Sequence, residues 1–166
     1  FFYLSIYIMV FNGRVKTSKQ DNYNTPKNAW LDILQFFKKD VKLWCPFYND
    51  GTAKTILNSL GYVDVYHEKR DFFEYELSDR IVCDNPPYSI KDVIICKLFG
   101  KYKFCLLLPL DTLERKYMLK YKKGLQLVIP NNRYEYIEGS HCPFKSCWFC
   151  WGMEEDLKTK DQLIFL

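Results

Sequence analysis

The segment Asp84-Asn85-Pro86-Pro87-Tyr88 leaves this chain the least conformational freedom. It follows Ile81-Val82-Cys83, an apolar run of the kind that forms a buried strand. Two consecutive prolines have no N–H to give to a sheet ladder, so the strand must stop there. Asn85 precedes a proline and is pushed toward extended backbone. The expected product is a rigid loop at a strand's carboxyl end. It offers the Asn85 amide, an acceptor-only carbonyl at Pro86 and the aromatic face of Tyr88. A planar heterocycle with an exocyclic amine suits that loop. Its ring stacks on Tyr88, and its amine donates to the Asn85 side-chain oxygen and the Pro86 carbonyl.

The rest of the chain can house such a loop in one α/β domain. Its 166 residues are 48% apolar and 18% aromatic, ample for a core. The net charge of +4 is compatible with nucleic acid without demanding it. Seven cysteines are an odd number, and Cys83, Cys96 and Cys105 sit within apolar runs. This predicts reduced thiols in a cytoplasmic or viral compartment rather than a disulfide framework. Residues 1–11 are almost wholly apolar, yet too short to span a bilayer, and they lack a signal peptide's basic start. No membrane association is expected. Residues 12–24 read as a polar arm with Arg14, Lys16 and Lys19. We therefore divide the chain into an extension, residues 1–24, and a domain, residues 25–166.

Thr25-Pro26 opens a helix, with Thr as N-cap and Pro first inside, and Trp30, Ile33, Leu34 and Phe37 on its apolar side. A strand over 41–44 is followed by a turn ending at Gly51 and a helix over 53–60. A second strand covers 62–66, ahead of His67-Glu68 and Asp71-Phe72-Phe73. A helix over 89–99 turns Ile90, Val93, Ile94 and Leu98 inward, and Gly100 ends it. The apolar strand 103–108 is of the buried parallel type. Pro109 and Asp111-Thr112 then start a helix to about Lys123, carrying Arg115, Lys116, Lys120, Lys122 and Lys123. That face lies along a phosphate backbone or is simply solvated. Strands at 125–129 and 146–151 flank a turn at 130–132 and an extended segment at 133–137. His141, Cys142, Cys147 and Cys150 have zinc-like spacing. However, Cys147 and Cys150 would project to opposite faces of a strand, so no metal site is assigned.

Asn85-Pro86-Pro87-Tyr88 resembles the catalytic motif of the S-adenosyl-L-methionine (AdoMet)-dependent amino-methyltransferases, which act on adenine N6, cytosine N4 or a glutamine amide. The order of the other parts extends the resemblance over about residues 21–153. Asp21-Asn22-Tyr23-Asn24-Thr25-Pro26 is similar to the opening of the phage-type N6-adenine DNA methyltransferases, and the strand, Arg-Tyr-x-Tyr, Pro-Phe and aromatic strand near the end are similar to their close. The resemblance implies a Rossmann-like class I methyltransferase fold: a mostly parallel seven-stranded sheet with an antiparallel edge. It implies AdoMet as cofactor and DNA as substrate, with Asn85, Pro86, Pro87 and Tyr88 catalytic. It places Thr25 and Pro26 beside the cofactor's methionine end, and Pro46, Phe47 and Gly51 in the cofactor turn. Cys45 replaces the family's acid there and Asn49 its first glycine, which weakens the expected hold on AdoMet. Asn tolerates the positive φ that such a turn needs.

By the same resemblance, Glu68 accepts the ribose hydroxyls, and Asp71 with Phe72 holds the cofactor adenine. A surface glutamate and a core phenylalanine are the other readings. Arg133, Tyr134 and Phe144 either border the base pocket or serve the core and hairpin. No target-recognition insertion is visible, so selectivity would come from loops or a protein partner. Two alternatives stay open: an inactive relative that binds nucleic acid or forms part of a virus particle, and an RNA or glutamine-amide methyltransferase.

Overall fold

The computed structural model describes residues 23–137, 139 and 142–166. The apolar run 1–11, the basic residues of the arm and His141 lie outside the described residues. The elements are α1 (Lys27–Leu34), β1 (Leu43–Trp44), α2 (Thr52–Ser59), β2 (Val65–Tyr66), β3 (Ile81–Asp84), α3 (Lys91–Leu98), β4 (Phe104–Pro109), β5 (Leu125–Ile129), β6 (Ser146–Trp151), α4 (Glu154–Leu157) and β7 (Leu163–Phe165). Short 3₁₀ segments cover Tyr88–Ile90, Leu110–Glu114 and Lys116–Lys120.

The strands form one seven-stranded sheet in the order β2-β1-β3-β4-β6-β5-β7. The pairs β1·β2, β1·β3, β3·β4 and β5·β7 are parallel, whereas β6 runs against both β4 and β5. The sheet is thus mostly parallel, in an α/β architecture compatible with a Rossmann-like fold. The reversed strand lies inside the sheet, third from the β7 edge, and not at the edge as expected. The final segment supplies the difference: β7 adds a parallel strand beyond β5, which sequence patterning did not reveal.

Side chains alternate between two cores, as the two-residue strand period requires. Along β4, Phe104, Leu106 and Leu108 join one layer with α3 residues Ile94, Ile95 and Leu98. Cys105 and Leu107 join the other with α1 residues Trp30, Ile33 and Leu34. Along β6, Cys147 falls in the first layer and Cys150 in the second. All seven thiols are unpaired. Cys45, Cys83, Cys105 and Cys150 share one core layer, where burial pushes the Cys45, Cys83 and Cys105 thiols well up and makes them poor nucleophiles. Among the described residues no helix is long and apolar enough to cross a membrane.

Local departures have local causes. Pro26 is the cap of α1, with φ −68 and ψ 153, so Thr25 lies one residue outside the expected position. In α3 the buried face comprises Ile94, Ile95, Lys97 and Leu98, with Ile90 and Val93 only half-buried. Lys97 is covered because its Nζ donates to the Phe72 carbonyl at 2.7 Å and lies over the Phe72 ring. The expected helix to Lys123 is two 3₁₀ segments. They are interrupted at Arg115, which is extended at ψ 134 while Thr112 and Met118 turn inward on either side.

Candidate functional site

β1 pairs with β2 on one side and β3 on the other, so the strand order reverses there. Loops leaving the carboxyl ends of parallel strands diverge at such a point and leave a crevice for ligands. A cleft lies there, lined in part by Phe47, Tyr48 and Asn49 after β1, Asp84 and Asn85 at the end of β3, and Asn24 and Thr25 ahead of α1. The proline-braced loop therefore stands where its sequence placed it, at the carboxyl end of β3.

Asn85 has a determined orientation. Its side-chain nitrogen donates to the Tyr23 carbonyl at 2.9 Å. Its Oδ1 is buried and has no hydrogen-bond partner among the described residues. Buried acceptors are rarely left so, and this one borders the cleft. Asp84 fastens the floor. It is 3% exposed, and its carboxylate oxygens accept the Phe47 N–H at 2.7 Å and the Asn85 N–H at 2.8 Å. Burial pushes the Asp84 carboxyl up to about 8, against the opposing pull of those two N–H donors.

Tyr88 stands beside this loop, half-buried in an aromatic cluster. Tyr23 is stacked on it at 6.1 Å and Phe144 meets it edge-on at 5.8 Å. Its hydroxyl lies 3.2 Å from that of Tyr136, which in turn donates to Ser146 at 2.7 Å. Burial pushes the Tyr88 phenol well up, so it stays neutral. Pro86 is buried beneath the loop and Pro87 is half-buried.

The turn after β1 keeps its unusual backbone. Asn49 has φ 45 and Gly51 φ 84, so asparagine does take the conformation that glycine would. Asp50, just before the Gly51 N-cap of α2, accepts the Thr52 N–H at 3.0 Å, an interaction that lowers its carboxyl below the usual range. Pro46 is buried, and Cys45 turns its thiol to the Cys83 carbonyl, away from the cleft lining. Asn24 crosses from the other side, donating to Asp50 at 2.6 Å and accepting from Asn49. Tyr48 lies across the turn. Its ring stacks on His67 at 4.9 Å, and a Cβ added at Gly51 would meet the Tyr48 hydroxyl at 2.7 Å.

The other expected cofactor residues stand elsewhere. β2 ends at Tyr66, and His67 is the buried residue that follows. Glu68 faces out and accepts from the Tyr66 hydroxyl at 2.9 Å. Asp71 is exposed and accepts the Phe73 N–H at 2.8 Å, a local turn bond. Phe72 is core against Trp44 and reaches the cleft only through Phe47, 5.1 Å away. Neither Glu68, Asp71 nor Phe72 lines the cleft. Of the late candidates, Phe144 joins the aromatic cluster. Tyr134 is core, donating to Asp32 at 2.7 Å, and Arg133 donates to the Cys142 carbonyl at 3.3 Å within its own hairpin.

The structure gives roles to residues that the sequence named without assigning: Asp84 holds the Phe47 and Asn85 N–H groups, Tyr23 accepts from Asn85, Asn24 bonds the turn, and Tyr136 packs with Tyr88 outside the cleft lining. The cleft's free space is about 20 Å³, the room of one water. AdoMet does not fit it with Tyr48 across the turn. A scan against models of known protein families matches none, and a search among curated proteins gives no match.

Proposed function

We propose that this chain recognises the exocyclic amine of adenine in DNA and presents it for N6 methylation, within a class I methyltransferase type of fold. The observation that carries the reading is the Asn85 oxygen, a buried acceptor without a partner among the described residues, on the rim of the switch-point cleft. Tyr23 already engages the amide nitrogen, so the oxygen is the end left for a ligand, and it calls for an N–H donor. Adenine N6 is a weak nucleophile because its lone pair is delocalised into the ring. Acceptors at Asn85 and at the Pro86 carbonyl would draw its hydrogens out of the ring plane and free that lone pair, with positioning supplying most of the rate. Tyr88, which does not line the cleft and whose ring is stacked on Tyr23, would have to part from Tyr23 to stack on the base. In a duplex the base must first leave the stack. AdoMet is the methyl donor that this chemistry implies. A reduced compartment, cytoplasmic or viral, suits seven unpaired thiols.

One observation favours a second reading. With Tyr48 across the cofactor turn, a chain that binds nucleic acid without methylating it would look the same. Incubation with labelled AdoMet and DNA, RNA or a glutamine-containing peptide separates the possibilities. Label should enter DNA adenine once Tyr48 leaves the turn, and disappear in Asn85→Ala. Label in RNA or peptide instead would replace the substrate class, and DNA binding with no label would favour the second reading.

A further inference from the structure

We infer that Trp30 and Asn85 together hold one bound water, which bridges the indole N–H to the amide oxygen and so ties α1 to the loop after β3. The two side chains come from different elements and line the same small cleft. Each brings one buried polar atom that has no hydrogen-bond partner among the described residues, Nε1 of Trp30 and Oδ1 of Asn85. Such atoms are seldom left unpaired in a folded chain, because burial has cost each of them a bond to solvent. Here the two are complementary. The indole N–H can only donate, and the amide oxygen can only accept. The cleft's free space of about 20 Å³ is the room that one water needs.

The chemistry of the pair names the occupant. A bridge between a donor and an acceptor must accept on one side and donate on the other, and water does both. A metal cation or ammonium has no lone pair for the indole hydrogen, and a halide has no proton for the amide oxygen. The surrounding groups do not take the water's place. The Asn85 nitrogen is spent on the Tyr23 carbonyl at 2.9 Å, and the Asp84 oxygens accept the Phe47 and Asn85 N–H groups. Trp30 is fully buried, with its ring packed 5.6 Å from that of Trp148, so its N–H cannot swing out to bulk solvent. The seat stands apart from the methyl-transfer reading and is filled whether or not a base binds. A ligand amine arriving at Asn85 would displace the water and donate to the same oxygen.

Nuclear magnetic resonance of the full chain, with no ligand added, tests this. The Trp30 indole N–H should show a direct Overhauser effect to a long-lived water. The Trp148 indole N–H, which donates to the Ala29 carbonyl at 3.0 Å, should show none. The Trp30 signal is assigned by its loss in Trp30→Phe or, should that variant fail to fold, by triple-resonance spectra of the parent. In Asn85→Leu, which removes the acceptor at similar size, the effect at Trp30 should be lost. A crystal structure of the parent should place one water within about 2.7–3.2 Å of both atoms. No effect at Trp30 in the parent, an effect unchanged in Asn85→Leu, a water bonded to one of the two atoms alone, or anomalous density at the seat after a bromide or rubidium soak would overturn the inference. None of these measurements involves DNA, so the adenine reading stands or falls separately.

Discussion

Asp84 is a carboxyl held far from its exposed behaviour by burial, and this has a consequence for stability. Its carboxyl titrates near pH 8 in the folded chain, above the value of about 3.9 in an unfolded one. Between those values the folded state holds a proton that the unfolded state has released, so stability is highest at the acid end and falls as pH rises. The expected slope from this group is at most about 1.4 kcal/mol per pH unit. Urea unfolding from pH 5 to 8.5 should show that decline in the parent, and Asp84→Asn should lack the Asp84 share of it. At pH 5 the variant should also be less stable by about 1–3 kcal/mol, because its amide N–H₂ faces a backbone N–H. Identical pH profiles for the two proteins would refute the assignment. The place of Asn85 at the carboxyl end of β3 was legible in sequence because prolines restrict the backbone whatever surrounds it. Glu68 takes the surface side by parity: β2 stops at Tyr66, which makes His67 the inward residue and Glu68 the outward one. Nothing in the sequence shows which of two adjacent polar residues a short strand will bury.

At the scale of elements, legibility followed length and apolar content. β4, β5 and β6 lie where their apolar runs indicated, within a residue. β4 is buried along all six residues and feeds both cores in alternation. Leu107→Ala at its centre should therefore cost about 2–5 kcal/mol, whereas Leu119→Ala, at a side chain 61% exposed, should change stability by less than about 0.5 kcal/mol. Denaturant midpoints check both, and a Leu107→Ala variant as stable as Leu119→Ala would contradict the layering. The segment 110–123 misled because its helix-forming composition competes with a tertiary demand. Thr112 and Met118 both go inward, at a spacing that one straight helix beside β4 does not satisfy here. β7 and α4 escaped notice because they are short and embedded in charge. Lys97 was unreadable for another reason: its partners are backbone carbonyls at Phe72 and Tyr75, and a sequence does not reveal where a carbonyl points.

For the molecule as a whole, the strand order creates the functional geometry. β1 sits between β2 and β3, and the segments after β1 and at the end of β3 bring together residues far apart in sequence. Tyr23–Asn24 ties them from the N-terminal side, bonding to both Asn85 and Asp50. The basic residues after β4 begin on the same rim, with Arg115 paired to Asp111 at 3.1 Å and Lys120 over Tyr121. The central claim is that the Asn85 oxygen accepts a base amine, and affinity for single-stranded DNA probes it without any cofactor. Two oligonucleotides would be compared, one carrying a single adenine and the other an unsubstituted purine, which lacks the amine. The parent should bind the adenine form about ten-fold more tightly, and Asn85→Ala should bind both alike. Equal affinities in the parent, or a preference that survives in Asn85→Ala, would contradict it.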